Sequence, residues 1–191
     1  MTSRPVRGSS ATPGSATPGS ASSGSAIPGS AAPGRDRDAA GRPRNARPRD
    51  GLGRPLSRAA PGGEPPPPDA PALPPAAALA LAQQLIDRGR PFHAHEVLEA
   101  SWKAAPPAER DLWQGLAQIA VGLTHAQRGN ARGAVALLRR GASAVSGYAR
   151  ACPHGINAAG IAGSAGELAD GIERDGLAAV PPDRLLIRLA R

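Results

Sequence analysis

Hydrophobic residues recur at helical spacing through the second half of the chain, and the pattern predicts a series of helices. Glycine, asparagine or proline stands where one periodic segment stops and the next begins. The predicted helices span 76–88, about 91–104, about 108–128, about 131–150 and 164–174, with a last turn or two through 185–189. A Gly-rich loop is predicted over 151–163. Because no stretch alternates apolar and polar residues with the period of a strand, the fold class is all-α: a small antiparallel bundle of four to five helices with helix-pair packing.

The third predicted helix is apolar around most of its circumference, so we expect it at the centre of the bundle. Its remaining stripe, which falls within about 60° of arc, consists of Gln114, Gln118, Val121 and His125. Gly129 is then expected to end the third helix and Asn130 to cap the fourth. This short connection makes the two helices antiparallel neighbours. Three glycines in the fourth helix are interpreted as points of close helix approach: Gly133, Gly141 and Gly147.

The first 74 residues contain few long aliphatic side chains and are predicted to be a disordered leader, with the helical domain over 75–190. Positions 11–35 repeat an imperfect five-residue Ala/Pro/Gly/Ser unit that has no hydrophobic face to bury. The segment 35–58 contains eight arginines, which raises the alternative of a nucleic-acid tether acting through phosphate charge. Aspartates dilute that charge and no aromatic residue is present to stack on bases, so a solvated leader is the preferred interpretation.

Charge and cysteine content narrow the class of protein. The formal net charge of +8 at pH 7 divides into +5 for residues 1–71 (10 Arg, 5 acids) and +3 for residues 72–191 (13 Lys+Arg, 10 acids), so the helical part is only mildly basic. Cys152 is the only cysteine, which excludes an intrachain disulfide and a cysteine-rich zinc site. The first residues lack the apolar stretch of a secretory signal, and no run approaches the ~20 apolar residues that span a bilayer. These features predict a soluble, cytoplasmic protein without a membrane partner.

The second predicted helix places an ionisable pair between two aromatic residues. At about 100° per residue, four side chains share one face within roughly 80° of arc: Phe92, His95, Glu99 and Trp102. Because large aromatic residues normally face a core, we expect this pair at or near a buried surface. If the face packs against the polar stripe of the third helix, two imidazoles, a carboxylate and two amides converge. The predicted polar pocket consists of His95, Glu99, Trp102, Gln114, Gln118 and His125.

This set of residues has three interpretations. In the first, His95, Glu99 and His125 bind a divalent metal and leave a position open for water. Against it, the helix lacks the second histidine of the zincin motif HExxH, and the paired Glu-x-x-His motifs of di-iron bundles are absent. The second is metal-free acid–base chemistry or binding of a small polar ligand, with Glu99 orienting His95. The third is a satisfied polar network that locks the helices together, alone or within a protein-interaction scaffold.

The leading function is a non-catalytic module that binds a protein partner or a small polar ligand. The alternative is a metal-assisted or acid–base enzyme, hydrolase-like, that uses the same residues. A nucleophile pair of Cys152 and His154 is also conceivable, but no orienting acid is visible in the sequence.

Several motifs occur together in one order and spacing. They are Phe92, His95-Glu96-x-x-Glu99-x-x-Trp102, Gln114-Gly115-Leu116-x-Gln118-x-Ala120, His125 and Gly129-Asn130-x-x-Gly133-Ala134-x-x-Leu137-Leu138. In this combination the chain resembles the bacterial and archaeal "domain of unknown function 309" family over about 85–150. The resemblance implies a small helical-bundle domain whose members have no established activity. The Gly129-Asn130 turn also resembles the helix-pair punctuation of tetratricopeptide repeats, without the self-similarity at about 34 residues of a true array.

Overall fold

Five α-helices follow one another along the chain. The computed structural model describes residues 48–50, 53–57 and 72–189, which all fall within one unit of the chain, Asp36–Arg191. The helices are α1 (Pro75–Asp87), α2 (Pro91–Ala104), α3 (Arg110–Gln127), α4 (Ala131–Ser146) and α5 (Ala158–Asp175). Short 3-10 helices lie at Pro107–Glu109, Pro153–Gly155, Leu177–Ala179 and Pro182–Leu185.

The predicted all-α class is confirmed. The described residues contain no β-strand, only an isolated antiparallel bridge between Arg49 and Pro55. Most of the predicted leader, 1–74, lies outside the described residues, and so do its five-residue repeats at 11–35.

Glycine and asparagine set the helix ends where the sequence predicts them. Gly89 and Gly129 adopt the left-handed backbone, with φ of +69° and +77°, and end α1 and α3. The side-chain oxygen of Asn130 accepts a hydrogen bond from the backbone nitrogen of Gly133 at 2.9 Å, which caps α4. The observed bounds of α2 agree with the predicted 91–104.

Helix α3 is the most deeply buried helix. It packs against both α2 and α4, and the main helix contacts run between consecutive helices from α1 to α5. The predicted apolar stripe of α3 is enclosed: Leu112, Leu116, Ile119 and Leu123 are all buried. No helix within the described ranges is both long enough and apolar enough to cross a membrane.

Glycines allow α3 and α4 to lie in close contact. A Cβ atom added to Gly115 would lie 3.0 Å from the carbonyl oxygen of Gly141, and one added to Gly141 would lie 2.6 Å from the carbonyl oxygen of Gly115. The prediction of close approach is therefore confirmed at Gly141. It is wrong at Gly147, where an added Cβ would lie an ordinary 3.6 Å from the carbonyl oxygen of Ala144, in the last turn of α4.

The prediction of a loop over 151–163 is wrong for the second half of this segment. Helix α5 begins at Ala158, and the side chain of Asn157 caps it by accepting a hydrogen bond from the backbone nitrogen of Gly160 at 3.2 Å. Ser164, the predicted helix start, lies inside α5. Because Ile161 is fully buried, we attribute this helix to packing against α4, which overrides the low helix propensity of its glycines.

The end of the described chain returns to the first helix. After the 3-10 helix at Pro182–Leu185, the backbone nitrogen of Leu189 donates to Oε1 of Gln83 at 2.7 Å. Leu189 is fully buried, so the C-terminal segment closes the core over α1.

Candidate functional site

The aromatic face of α2 is not its buried face. The buried residues of the helix are Pro91, Ala94, Leu98 and Ser101. The face expected at the core is only half-buried, and we call it the α2 rim: Phe92, His95, Glu99 and Trp102. The sequence-based expectation is corrected here because small side chains such as Ala94 let α2 approach the core closely, which leaves the bulkier residues at the edge of the interface.

His95 and Glu99 form a half-buried pair in the middle of the α2 rim. Nε2 of His95 lies 3.7 Å from Oε2 of Glu99, and Nζ of Lys103 lies 3.1 Å from the other carboxylate oxygen, Oε1. Burial lowers the pKa of His95 from its ordinary value of 6.5; Glu99 opposes this shift, whereas Lys103 and Arg49 add to it. The imidazole is therefore neutral at neutral pH.

Several buried polar side-chain atoms of α2 and α3 make no hydrogen bond of good geometry within the described part of the chain. They include Nδ1 of His95, Oε1 of Gln118 and, at the end of α3, Oε1 of Gln127. Hydrogen bonding to the backbone of Ala117, which precedes Gln118 on α3, raises the pKa of His95, so His95 lies against this part of α3. An unsatisfied buried polar group costs about 1–3 kcal/mol. The contact is therefore not a fully satisfied polar network.

The remaining predicted site residues are His125, Gln114 and Trp102. Nδ1 of His125 lies 2.8 Å from Nδ2 of Asn130, beside Gly133 at the start of α4. Trp102 belongs to the α2 rim and packs against the core, and Gln114 on α3 is half-buried.

The structure does not assemble the predicted metal ligands. Among the described residues, no group of three or more His, Cys, Asp and Glu side chains could hold a metal ion. The set His95, Glu99 and His125 is therefore not brought together. The physical reason is that His125 is held at the N-terminus of α4 by the residue that caps this helix.

One end of the α2 rim is covered by a contact that the sequence did not predict. Arg49, in the predicted leader, places its guanidinium carbon 4.9 Å from the centre of the Phe92 ring. The available sequence signal was Asp50-Gly51 followed by Gly53, residue types that favour tight turns. That signal indicates a turn, but it does not indicate where the turn packs.

A second unpredicted cluster lies at the start of α3. Oε2 of Glu109 lies 2.7 Å from Nε2 of His154 and accepts a hydrogen bond from Nε1 of Trp113 at 3.2 Å. The acid beside His154 is thus Glu109, 45 positions earlier in the chain. The thiol of Cys152 donates to the carbonyl oxygen of Ala149 at 3.1 Å. This cluster ties the α4–α5 connection to α3, and a pairing over such a separation has no local sequence signal.

The His95→Leu variant distinguishes a structural network from a binding site. Because leucine removes an unsatisfied buried nitrogen, we expect the free energy of unfolding at pH 7 to stay within about 0.5 kcal/mol of wild type or to rise. The unfolded chain protonates His95 near pH 6.5, whereas burial lowers this pKa in the folded chain. The His95 contribution to wild-type stability should therefore fall as the pH drops below 6.5 towards the folded pKa, and His95→Leu should lack this contribution. Urea unfolding followed by circular dichroism at neutral and mildly acidic pH measures both effects.

The control is His154→Asn, because Nε2 of His154 is paired with Oε2 of Glu109 at 2.7 Å and asparagine tolerates its φ of +56°. Removing this made contact should cost about 0.5–1.5 kcal/mol. A loss of about 1–3 kcal/mol in His95→Leu at pH 7 would instead identify a structural network.

Comparison with known proteins confirms the family resemblance. Residues 79–137 match the model of the family Domain of unknown function (DUF309). The uncharacterized protein YpuF of Bacillus subtilis (strain 168) is 46% identical over 48 residues, which cover 25% of this chain and 28% of that protein. The chain thus matches little more than a quarter of this relative's length. No solved structure matches the chain. These comparisons therefore support a domain of unknown function in this chain. The segment that matches the family model includes His95, Glu99, Gln114, Gln118 and His125.

Proposed function

We propose that the helical domain is a non-catalytic binding module whose α2 rim, together with Gln118 of α3, holds a segment of a partner protein. The observation that supports this most is that the buried Oε1 of Gln118 has no hydrogen bond within the described residues, and the buried Nδ1 of His95 has none of good geometry. A purely structural network satisfies such atoms. A binding site keeps hydrogen-bonding capacity for its ligand at some cost in stability. Both side chains are half-buried, so each lies close to the surface that a partner would contact.

The dimensions of the α2 rim fit an extended peptide. Phe92 and Trp102 lie about 15 Å apart along the helix axis, with His95 and Glu99 between them. An extended chain covers this distance with about five residues. Its backbone offers a donor and an acceptor at each residue, which suits an imidazole and a carboxylate. The half-buried Trp102 at one end suits an apolar side chain of the partner, and the half-buried Phe92 at the other end offers a ring face for close packing.

The geometry favours binding over acid–base catalysis. The 3.7 Å between Nε2 of His95 and Oε2 of Glu99 exceeds hydrogen-bond length, which counts against Glu99 as the residue that orients His95 as a general base. Glu99 also pairs with Lys103. For the metal-assisted alternative, the ligand set predicted from the sequence is not assembled among the described residues.

The proposed partner is a protein. Contact of the Arg-rich leader with nucleic acid stays a prediction, because most of that segment lies outside the described residues. The proposed location is the cytoplasm, since a single exposed cysteine, Cys152, suits a reducing compartment.

Selection of a random peptide library on the immobilised full-length chain tests this function. Peptides are counter-selected on His95→Leu, and their affinities are measured by fluorescence anisotropy. We expect the selected peptides to bind His95→Leu at least about tenfold more weakly, a difference of about 1.4 kcal/mol, and to bind the control His154→Asn, which lies outside the α2 rim, as they bind wild type. Peptides that bind all three proteins equally, or no enrichment over the counter-selection, would overturn the proposal.

A further inference from the structure

Residues 48–50 and 53–57 form a small self-supporting turn, which we call the leader hairpin. The backbone nitrogen of Leu56 donates to the carbonyl oxygen of Pro48 at 2.7 Å, and that of Asp50 donates to the carbonyl oxygen of Arg54 at 3.0 Å. Oδ1 of Asp50 also accepts a hydrogen bond from the backbone nitrogen of Arg54 at 2.7 Å. The backbone hydrogen bonds, together with the hydrogen bond to the Asp50 side chain, fix the register of the turn. The side chains of the leader hairpin therefore have defined positions.

The leader hairpin packs on Phe92 through two residues. The guanidinium of Arg49 lies over the ring, and Nη1 of Arg49 donates to the carbonyl oxygen of Gly53 at 2.6 Å. Gly53 is buried with φ of +73°, and a Cβ atom added there would overlap the ring carbons of Phe92. Only glycine combines this backbone conformation with this approach. The contact therefore depends on one arginine and one glycine.

Charged residues on either side of Phe92 extend the contact between the leader hairpin and the helices. The guanidinium carbon of Arg128, at the C-terminus of α3, lies 5.8 Å from the Phe92 ring centre. Burial lowers the pKa of Arg128, and the nearby carboxylate of Asp50 opposes that shift. Arg49 acts electrostatically on His95 as well. The leader hairpin thus lies at the Phe92–His95 end of the α2 rim, the region assigned to the partner peptide.

We propose that the leader hairpin is an intramolecular cover of the α2 rim, held by Arg49 and Gly53 on Phe92, and that a partner segment must displace it to bind. The inference rests on the proposed function, because it concerns access to the same surface. The partner segment that competes best has the same chemistry: an arginine over the ring and a glycine against it. Only residues 58–74 separate the hairpin from α1, and such a short tether gives an effective concentration in the millimolar range. Binding of a separate partner molecule is therefore weaker while the leader hairpin covers the α2 rim.

The single phenylalanine of the chain allows a direct test. Full-length protein labelled with 4-fluorophenylalanine gives one fluorine resonance, which reports on the ring of Phe92. The variants Gly53→Val and Arg49→Ala disrupt the contact, while Arg54→Ala is a control with the same charge as Arg49→Ala, because Arg54 joins the hairpin through its backbone. We expect the resonance to shift in both test variants and to stay at its wild-type position in Arg54→Ala.

A peptide of residues 46–58 is then titrated into each labelled protein. In Gly53→Val it should return the resonance towards the wild-type position, at a concentration at least about tenfold lower than any effect on wild type requires. The same peptide with glycine 53 replaced by valine should have no effect. An unshifted resonance in Gly53→Val, or equal titrations of wild type and Gly53→Val, would overturn the cover. A wild-type resonance whose position depends on protein concentration would also overturn it, because the hairpin would then exchange between copies.

The binding function and the intramolecular cover can be overturned independently of each other. Library peptides that require His95 but bind wild type and Gly53→Val equally would keep the binding function and remove the cover. A resonance that responds to the hairpin variants, together with library peptides indifferent to His95→Leu, would overturn the binding function and leave the leader hairpin as a structural contact only.

Discussion

Replacing Gly141 with leucine should destabilise the protein by about 3 kcal/mol or more, the upper range for overpacking a tight interface. Even a Cβ atom at this position would lie 2.6 Å from the carbonyl oxygen of Gly115 and 2.6 Å from Cγ1 of Ile119. Because one of these atoms belongs to the backbone, α3 and α4 must move apart to make room. Urea unfolding followed by circular dichroism measures the loss.

The control for this prediction is Gly171→Ala in α5. A Cβ atom there would meet no described atom within 4 Å, and the position lies inside a helix. Because alanine favours helix over glycine, we expect a gain of about 0.5–1 kcal/mol. Equal unfolding midpoints for Gly141→Leu and wild type would show that α3 and α4 do not approach as described.

The Trp113→Ala variant should lose about 3–5 kcal/mol, as is usual when a large buried aromatic residue is truncated. Trp113 is only 2% exposed, and its Nε1 donates to Glu109, the residue that also pairs with His154. The substitution therefore opens a cavity and removes one of the two bonds that hold Glu109. Thermal and urea unfolding measure the total effect.

Trp113→Phe separates the two contributions. Phenylalanine keeps much of the ring volume and removes the donor, so we expect a smaller loss of about 1–2 kcal/mol. A Trp113→Ala variant as stable as Trp113→Phe would contradict the view that the ring fills the core beside the α4–α5 connection.

Local sequence signals predicted the helices well where their ends have distinct chemistry. Gly129 and Asn130 fixed the α3–α4 turn, because left-handed backbone and side-chain capping depend on these residues alone. The start of α5 was missed because the low propensity of its glycines is a local property, whereas the burial of Ile161 that favours the helix depends on tertiary packing.

The candidate site was predicted only in part, because periodicity places residues on a face without fixing how far two helices interlock. His95 and Glu99 do lie together, since one turn of helix separates them. His125 shares the stripe of Gln118, but Asn130 holds it at the start of α4. The contact between Arg49 and Phe92 joins distant parts of the chain, and no periodic pattern encodes it.

The central claim is that the domain binds a protein segment through the α2 rim. Its most direct test is the ratio of peptide affinities between His95→Leu and His154→Asn in the full-length chain. Binding through the rim predicts that a library-selected peptide binds His95→Leu at least about tenfold more weakly than His154→Asn, with both proteins folded. A ratio near one would place the binding surface elsewhere and would leave His95 and Gln118 as unsatisfied residues of the helix interface.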